Sequence, residues 1–180
     1  MIGRAANVWT VKLKNGREVI VRFLNAEDKE GLIQMFASMS DEALKWGLPP
    51  YTREVVERWI NNLPNLISLV ARYENRLVGY ATIFKYPHPR RKGVSDLGMY
   101  LHQDFHNVGL GTAFLSHLLE LARKENLHRI GLHVIADNKI AVHLYTKFGF
   151  KTEGIMKDSY FGADGKYHDE IVMGITLPPH

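Results

Sequence analysis

The chain has 180 residues, 46% hydrophobic and 23% charged, which suits one soluble globular domain with a sizeable core. It holds no cysteine, which excludes disulfides and thiolate metal sites and fits a reducing, cytoplasmic setting. A formal net charge of +4 suits a small anionic ligand, and the bases are scattered apart from "HPRRK" at 88–92, so no nucleic-acid partner is expected.

The N-terminal "MIGRAANVW" lacks the apolar stretch of a leader, and no apolar run reaches about 18 residues, so no membrane association is expected. "VWTVKLKNGREVIVRFL" reads as two strands around Asn15-Gly16, a tight-turn pair. Helix-like spacing of Leu32, Ile33, Met35 and Phe36 follows over about 27–38. A second helix is predicted over 52–61, with Thr52 as N-cap and Val55, Val56, Trp59 and Ile60 on one side. "LISLVARYENRLVGYATIFKY" reads as a hairpin turning at Glu74-Asn75, broken by Pro87 and Pro89. In "GVSDLGMYLHQDF", Leu97, Met99 and Leu101 alternate to one face; Asp96, Gly98, Tyr100 and His102 take the other. A helix over about 110–125 buries Phe114, Leu115, Leu118, Leu121 and Ala122 and leaves His117 to solvent. "HRIGLHVIA" is a strand, "DNKIAVHLYTKFGF" a helix ended by Gly149, and 151–161 and 167–177 are strands around "GADG". The order implies a mixed α/β domain with one central sheet.

The junction "HNVGLG" at 106–111 opens the 110–125 helix. A nucleotide-hydrolysing P-loop would need a lysine after Gly111, and a dinucleotide fingerprint would need a small residue where Phe114 stands. Two readings remain: a plain tight turn before a helix, or a pyrophosphate cradle of backbone N–H groups from Asn107 through Val108, Gly109, Leu110 and Gly111 to Thr112.

About 27 residues beyond Gly111 comes "ADNKIAVHLYTKFGFKTEG". Here the chain resembles the GCN5-related N-acetyltransferases (GNAT), whose signature is R/Q-x-x-G-x-G/A followed later by Asn and "A-x-x-LY-x-x-x-GF". The matching residues are Gly109, Gly111, Asn138, Ala141, Leu144, Tyr145, Gly149 and Phe150. The tail "EG…DGKYHDEIVM" looks like the closing hairpin of the subgroup containing amino-acid and protein N-terminal acetyltransferases, and "NGREVIVRFLNAED" resembles that subgroup's first strand and helix start. The resemblance spans nearly the whole chain. It implies a single acetyltransferase domain over 1–180, with a mostly antiparallel mixed sheet of about seven strands, splayed at the cofactor site, and about four flanking helices.

It further implies acetyl-CoA as cosubstrate and a primary amine as acceptor, either a small molecule (an amino acid or polyamine) or a protein N-terminus. The pyrophosphate would sit on the amides of 107–112. The pantetheine arm would pair with the strand edge of Met99, Tyr100 and Leu101, and the Leu101 amide would donate to the thioester oxygen. Asn138 is read either as a helix N-cap or as a contact to the arm. Tyr145 is either a core tyrosine or the acid for the departing thiolate. Where relatives often carry a glutamate, five residues before the Asn, stands His133, a candidate base. Asp96 is its rival, with His102 on the same face. His106 stands in place of the family's Arg or Gln. No metal site is expected. Trp46 and Tyr51 are candidates for the acceptor site. Dimers are common in the family, so a homodimer is compatible. The other function class kept open is a non-catalytic CoA-binding regulatory module.

Overall fold

The computed structural model describes residues 7–178. Residues 1–6, the first part of the stretch read for a leader, lie outside the described residues. The alternating segments form eight strands: β1 (Val8–Lys12), β2 (Glu18–Phe23), β3 (Leu66–Tyr73), β4 (Arg76–Lys85), β5 (Val94–Leu101), β6 (Arg129–Ile135), β7 (Lys151–Phe161) and β8 (Tyr167–Thr176). Five helices accompany them: α1 (Lys29–Ser38), α2 (Asp41–Leu44), α3 (Arg53–Asn61), α4 (Leu110–Lys124) and α5 (Lys139–Lys147). All strands join one sheet in the order β1-β2-β3-β4-β5-β6-β8-β7, antiparallel throughout except between β5 and β6. The expected mixed, mostly antiparallel architecture is present, with one more strand and one more helix than expected. The extra helix, α2, is a single turn capped by the Ser40 hydroxyl on Ala43 N, too short to leave a periodic signal. No helix of the described residues is long and apolar enough to cross a membrane.

The sheet is buried on both faces at its centre. On one face α4 packs Phe114, Leu115, Leu118 and Leu121 against Ile67, Leu69, Ala81 and Ile130. On the other, α1 and α3 bring Leu32, Met35, Phe36 and Val56 onto Val70, Leu77 and Tyr80. The Phe114 ring, too large for a dinucleotide fold's helix–strand contact, is admitted by a glycine across from it. A Cβ on Gly79 would stand 2.7 Å from Phe114 Cε2 and 3.2 Å from Leu110 Cδ2. The first turn of α4 is thus seated directly on β4. One expectation fails on this side. His117 is not solvent-facing but stacks on Trp9 at 4.3 Å, because β1 folds over that part of α4, and burial holds its pKa down.

The β7–β8 hairpin fixes the segment after α2. The Tyr160 hydroxyl shares its hydrogen between Lys45 O at 2.8 Å and Gly47 O at 2.7 Å. His168 stands edge-on to the Trp46 ring at 5.2 Å. Its two ring nitrogens face two carboxylates: Nε2 lies 3.0 Å from Asp164 Oδ1 and Nδ1 lies 2.6 Å from Asp137 Oδ2. Both nitrogens can donate only in the imidazolium, so Asp164 and then Asp137 raise the His168 pKa above its usual value. One charged ring therefore ties together the hairpin tip, the start of α5 and the Trp46 segment.

Two outcomes follow. Gly79→Ala should lower stability by about 1–3 kcal/mol in urea unfolding, through displacement of Phe114 and Leu110; a neutral or stabilised variant would show that the contact is slack. His168 has a folded-state pKa above its unfolded value, so its stabilisation is complete below about pH 6.5 and is lost as pH rises through the raised value. Across that window the melting midpoint of the wild type should fall more than that of His168→Gln; parallel curves would deny the ring this role.

Candidate active site

β5 and β6 pair for only three residues, Val94 with Arg129, Ser95 with Ile130 and Asp96 with Gly131. Beyond Asp96 they part. β5 stays on β4 to Leu101, and β6 stays on β8 to Ile135. Each strand keeps a long antiparallel neighbour on its outer side, and strand twist carries the two pairs away from each other. The expected splay is therefore present beside Met99, Tyr100 and Leu101.

Hydrogen-bond parity determines what faces the gap. His102 N donates to Val78 O at 3.0 Å and Tyr86 N to Val94 O at 3.4 Å. Bonding in an antiparallel ladder alternates residue by residue, so the even-numbered residues of β5 turn their polar backbone to β4. Met99 and Leu101 turn theirs to the gap, where β6 no longer answers. His106 closes one of these groups, its Nε2 donating to Leu101 O at 2.7 Å. The Leu101 N–H and both backbone groups of Met99 stay open to an incoming extended chain.

The gap widens into a cleft of about 920 Å³. Of the expected residues, Asp96, Met99, Tyr100, Leu101, His106, Asn107, His133, Asn138 and Tyr145 line it together. Val108, Gly109, Leu110, Gly111 and Thr112 continue beyond Asn107 into the first turn of α4. Asn107 and Gly109 adopt left-handed conformations, φ 58° and 94°, which bend the chain into the helix. The first intrahelical bond runs from Ala113 N to Gly109 O at 3.1 Å. The N–H groups of Leu110, Gly111 and Thr112 precede it and have no partner in the helix, so they add to the positive end of its dipole. The β1–β2 turn braces the loop, with Lys14 N donating to Val108 O at 2.9 Å. Gly111 has a packing duty as well. A Cβ there would meet Leu144 Cδ2 at 3.0 Å, so the glycine lets α5 close on the start of α4.

That approach brings Tyr145 to the cleft. Its side chain is 8% exposed, and burial pushes the phenol up to about 12. Asn138 caps α5, its Oδ1 accepting from Ala141 N at 3.3 Å. His133 rises from the open face of β6, half exposed, with Nδ1 3.4 Å from Glu170 Oε2. Asp96 accepts a hydrogen bond from the Tyr86 hydroxyl, whose ring lies 4.1 Å under the Arg91 guanidinium of the basic loop. His102 does not share the cleft. It is 3% exposed, and its Nδ1 accepts from Asp104 N at the turn that follows β5. Trp46 and Tyr51 line the cleft from the segment after α2, and Tyr51 packs edge-on to Tyr100 at 5.0 Å. Burial pushes the Tyr100 phenol up as well. Sequence reasoning missed Tyr86, which meets Asp96 across the β4–β5 pairing, and Lys14 and Glu170, which are brought in by pairings distant along the chain.

The profile of the Acetyltransferase (GNAT) family matches residues 33–150. The L-amino acid N-acetyltransferase AaaT of Escherichia coli (strain K12) is 28% identical over 157 residues, covering 87% of this chain and 96% of its own length. A [Ribosomal protein bS18]-alanine N-acetyltransferase of the same strain is 34% identical over 74 residues, 41% of this chain and 49% of its own. A GNAT-family acetyltransferase from Streptococcus pneumoniae superposes with a TM-score of 0.78 at 25% identity, over 89% of this chain and all of that one. With a matching profile over more than half its length, a relative aligned nearly end to end and a fold that superposes on a solved acetyltransferase of the family, the chain belongs to the GNAT family and is an N-acetyltransferase.

Proposed function

We propose that the enzyme takes its acetyl group from acetyl-CoA and passes it directly to a primary amine, that of an amino acid or of a protein N-terminus. The observation that carries this reading is the broken β5–β6 ladder, which leaves Met99 and Leu101 backbone groups facing a cleft beside the N-terminus of α4. The fit to coenzyme A is one of shape and chemistry: an amide-bearing arm needs a strand edge, and a pyrophosphate needs N–H donors. Met99 and Leu101 would hold the arm. The amides from Asn107 to Thr112 would hold the pyrophosphate, with Lys14 close by. His106 is already engaged with Leu101 O, so its part is to fix the strand end, and the backbone carries the phosphate contacts. When bound, acetyl-CoA supplies a thioester whose C–S bond breaks as the acceptor nitrogen forms the amide.

The chain's own groups meet the needs of that exchange. The Leu101 N–H donates into the gap, where charge develops on the carbonyl oxygen. His133 accepts the proton that the amine loses. It is placed for this better than Asp96, whose carboxylate already accepts from Tyr86. Tyr145 faces the leaving sulfur. Burial raises the Tyr145 phenol well above the ordinary range of a thiol, so full proton transfer to the thiolate would run uphill. Tyr145 therefore acts as a hydrogen-bond donor to the thiolate. No cysteine exists to carry the acetyl group, which favours direct transfer. The names of the aligned relatives, one acting on L-amino acids and one on a protein's alanine, support an amine acceptor of this class.

Acetyl-CoA at about 100 times its Kd should stabilise the protein by about 2.7 kcal/mol, seen as a higher melting midpoint; no shift would remove the cofactor assignment. Tyr145→Phe should keep that shift while turnover on the best acceptor of an amine panel (free L-amino acids, a peptide beginning with alanine, a polyamine) falls on the order of 10²-fold. Undiminished turnover would take Tyr145 out of the mechanism.

A further inference from the structure

The carboxylates around the cleft are nearly all engaged. Glu42 pairs with Lys45 at 2.5 Å. Asp96 accepts from Tyr86, and Asp137 is held by His168. Glu170 is different: among the described residues it has no hydrogen bond from its side chain, and its one ion-pair contact is His133, with Nδ1 to Oε2 at 3.4 Å. The placement follows from register. Glu170 on β8 stands opposite Ile135 on β6, so its side chain rises from the same face as His133 two residues earlier. The carboxylate is 21% exposed and the imidazole 52%, and both line the cleft. Of the other titratable groups that line it, Lys45 is paired with Glu42, the His106 ring is engaged with Leu101 O, the Tyr51 hydroxyl accepts from Leu48 N, and Lys139 opens α5. The Tyr160 hydroxyl, on the strand beside Glu170, is engaged with Lys45 O and Gly47 O, and burial keeps the phenols of Tyr100 and Tyr145 protonated.

We propose that Glu170 is a positioning residue for His133, accepting a hydrogen bond from its Nδ1–H and so leaving the Nε2 lone pair facing the acceptor amine. This rests on the reading of His133 as the proton acceptor. In the step, the amine's N–H bond breaks and Nε2 gains that proton, the nitrogen's electron pair forms the new C–N bond, and the thioester C–S bond breaks with its electron pair leaving on the thiolate. The imidazolium so formed lies beside the Glu170 carboxylate and returns the proton to water at its exposed edge. A separation of 3.4 Å is long for the free enzyme, and such contacts tighten as charge appears on the ring.

The test begins with ¹⁵N NMR of the imidazole in the full chain without acceptor. Neutral His133 should be mainly the Nδ1–H tautomer in the wild type and should lose that bias in Glu170→Ala. An Nε2–H ring in the wild type would overturn the proposal. With acetyl-CoA and a peptide beginning with alanine, Glu170→Gln should lower kcat/KM roughly 10-fold, with KM for acetyl-CoA unchanged. In a His133→Ala background Glu170→Gln should have no further effect. An equal loss in both backgrounds would assign Glu170 a role independent of the ring and sink the proposal. Because the tautomer readout needs no acceptor, a failure of the transfer reading shows itself separately, as absence of acetylation across the whole amine panel.

Discussion

The site depends on two strands that stop pairing. β5 and β6 are the one parallel pair in the sheet, and they hold together for three residues at their N-terminal ends. Each then stays with its antiparallel partner, and the sheet opens into a wedge. An edge strand with free N–H and C=O groups invites pairing from another chain. Here that edge lies inside the molecule, walled by helices, where only a slender extended ligand can reach it. The same parting separates the two faces of the wedge. The α4–α5 side holds an N-terminus rich in free amides, and the opposite side holds His133, Glu170 and the aromatic rings of Trp46 and Tyr51.

Two close packings keep the wedge in register with its helices. Gly79 admits Phe114 and seats the first turn of α4 on β4, while Gly111 admits Leu144 and draws α5 toward that same turn. The positions of the loop amides and of Tyr145 are thus coupled. A shift in the start of α4 moves the amides of its first turn and, through Leu144, the residue next to the Tyr145 phenol. Rigid interiors transmit such shifts, because side chains packed to crystal density have nowhere to absorb them. The left-handed backbone at Asn107 and Gly109 sits between these contacts and sets the direction in which the amides point.

Local patterns were readable in the sequence wherever one face is buried. The alternation of Leu97, Met99 and Leu101, the helical stripe of α4 and the glycine that ends α5 all appear in the fold as read. The glycine turn that opens α4 was readable as well, because it lies in contiguous sequence. The groups that escaped notice are brought to the site by pairing between strands and turns. Glu170 comes beside His133 only through the β6–β8 register, Tyr86 meets Asp96 across the β4–β5 hairpin, and Lys14 arrives from a turn nearly a hundred residues away. His117 was misread for the same reason: helical periodicity placed it outside, and a strand from the other end of the chain covered it. His106 shows a subtler limit. Its identity marked a departure from the family pattern, but only the fold shows its ring turned back to Leu101 O.

The charges of the cleft reconcile two opposed requirements. An acceptor amine in neutral water is an ammonium, drawn toward carboxylates, yet it can attack only after losing a proton. Free carboxylates lining the cleft would favour the charged form and resist that loss. Three of the acids are instead held by partners: Glu42 by Lys45, Asp96 by the Tyr86 phenol and Asp137 by the His168 imidazole. The fourth, Glu170, lines the cleft as well, and among the described residues its one ion-pair contact is His133. In the proposed transfer the one acid left without a firm partner thus stands beside the ring that would take the proton, not apart from it.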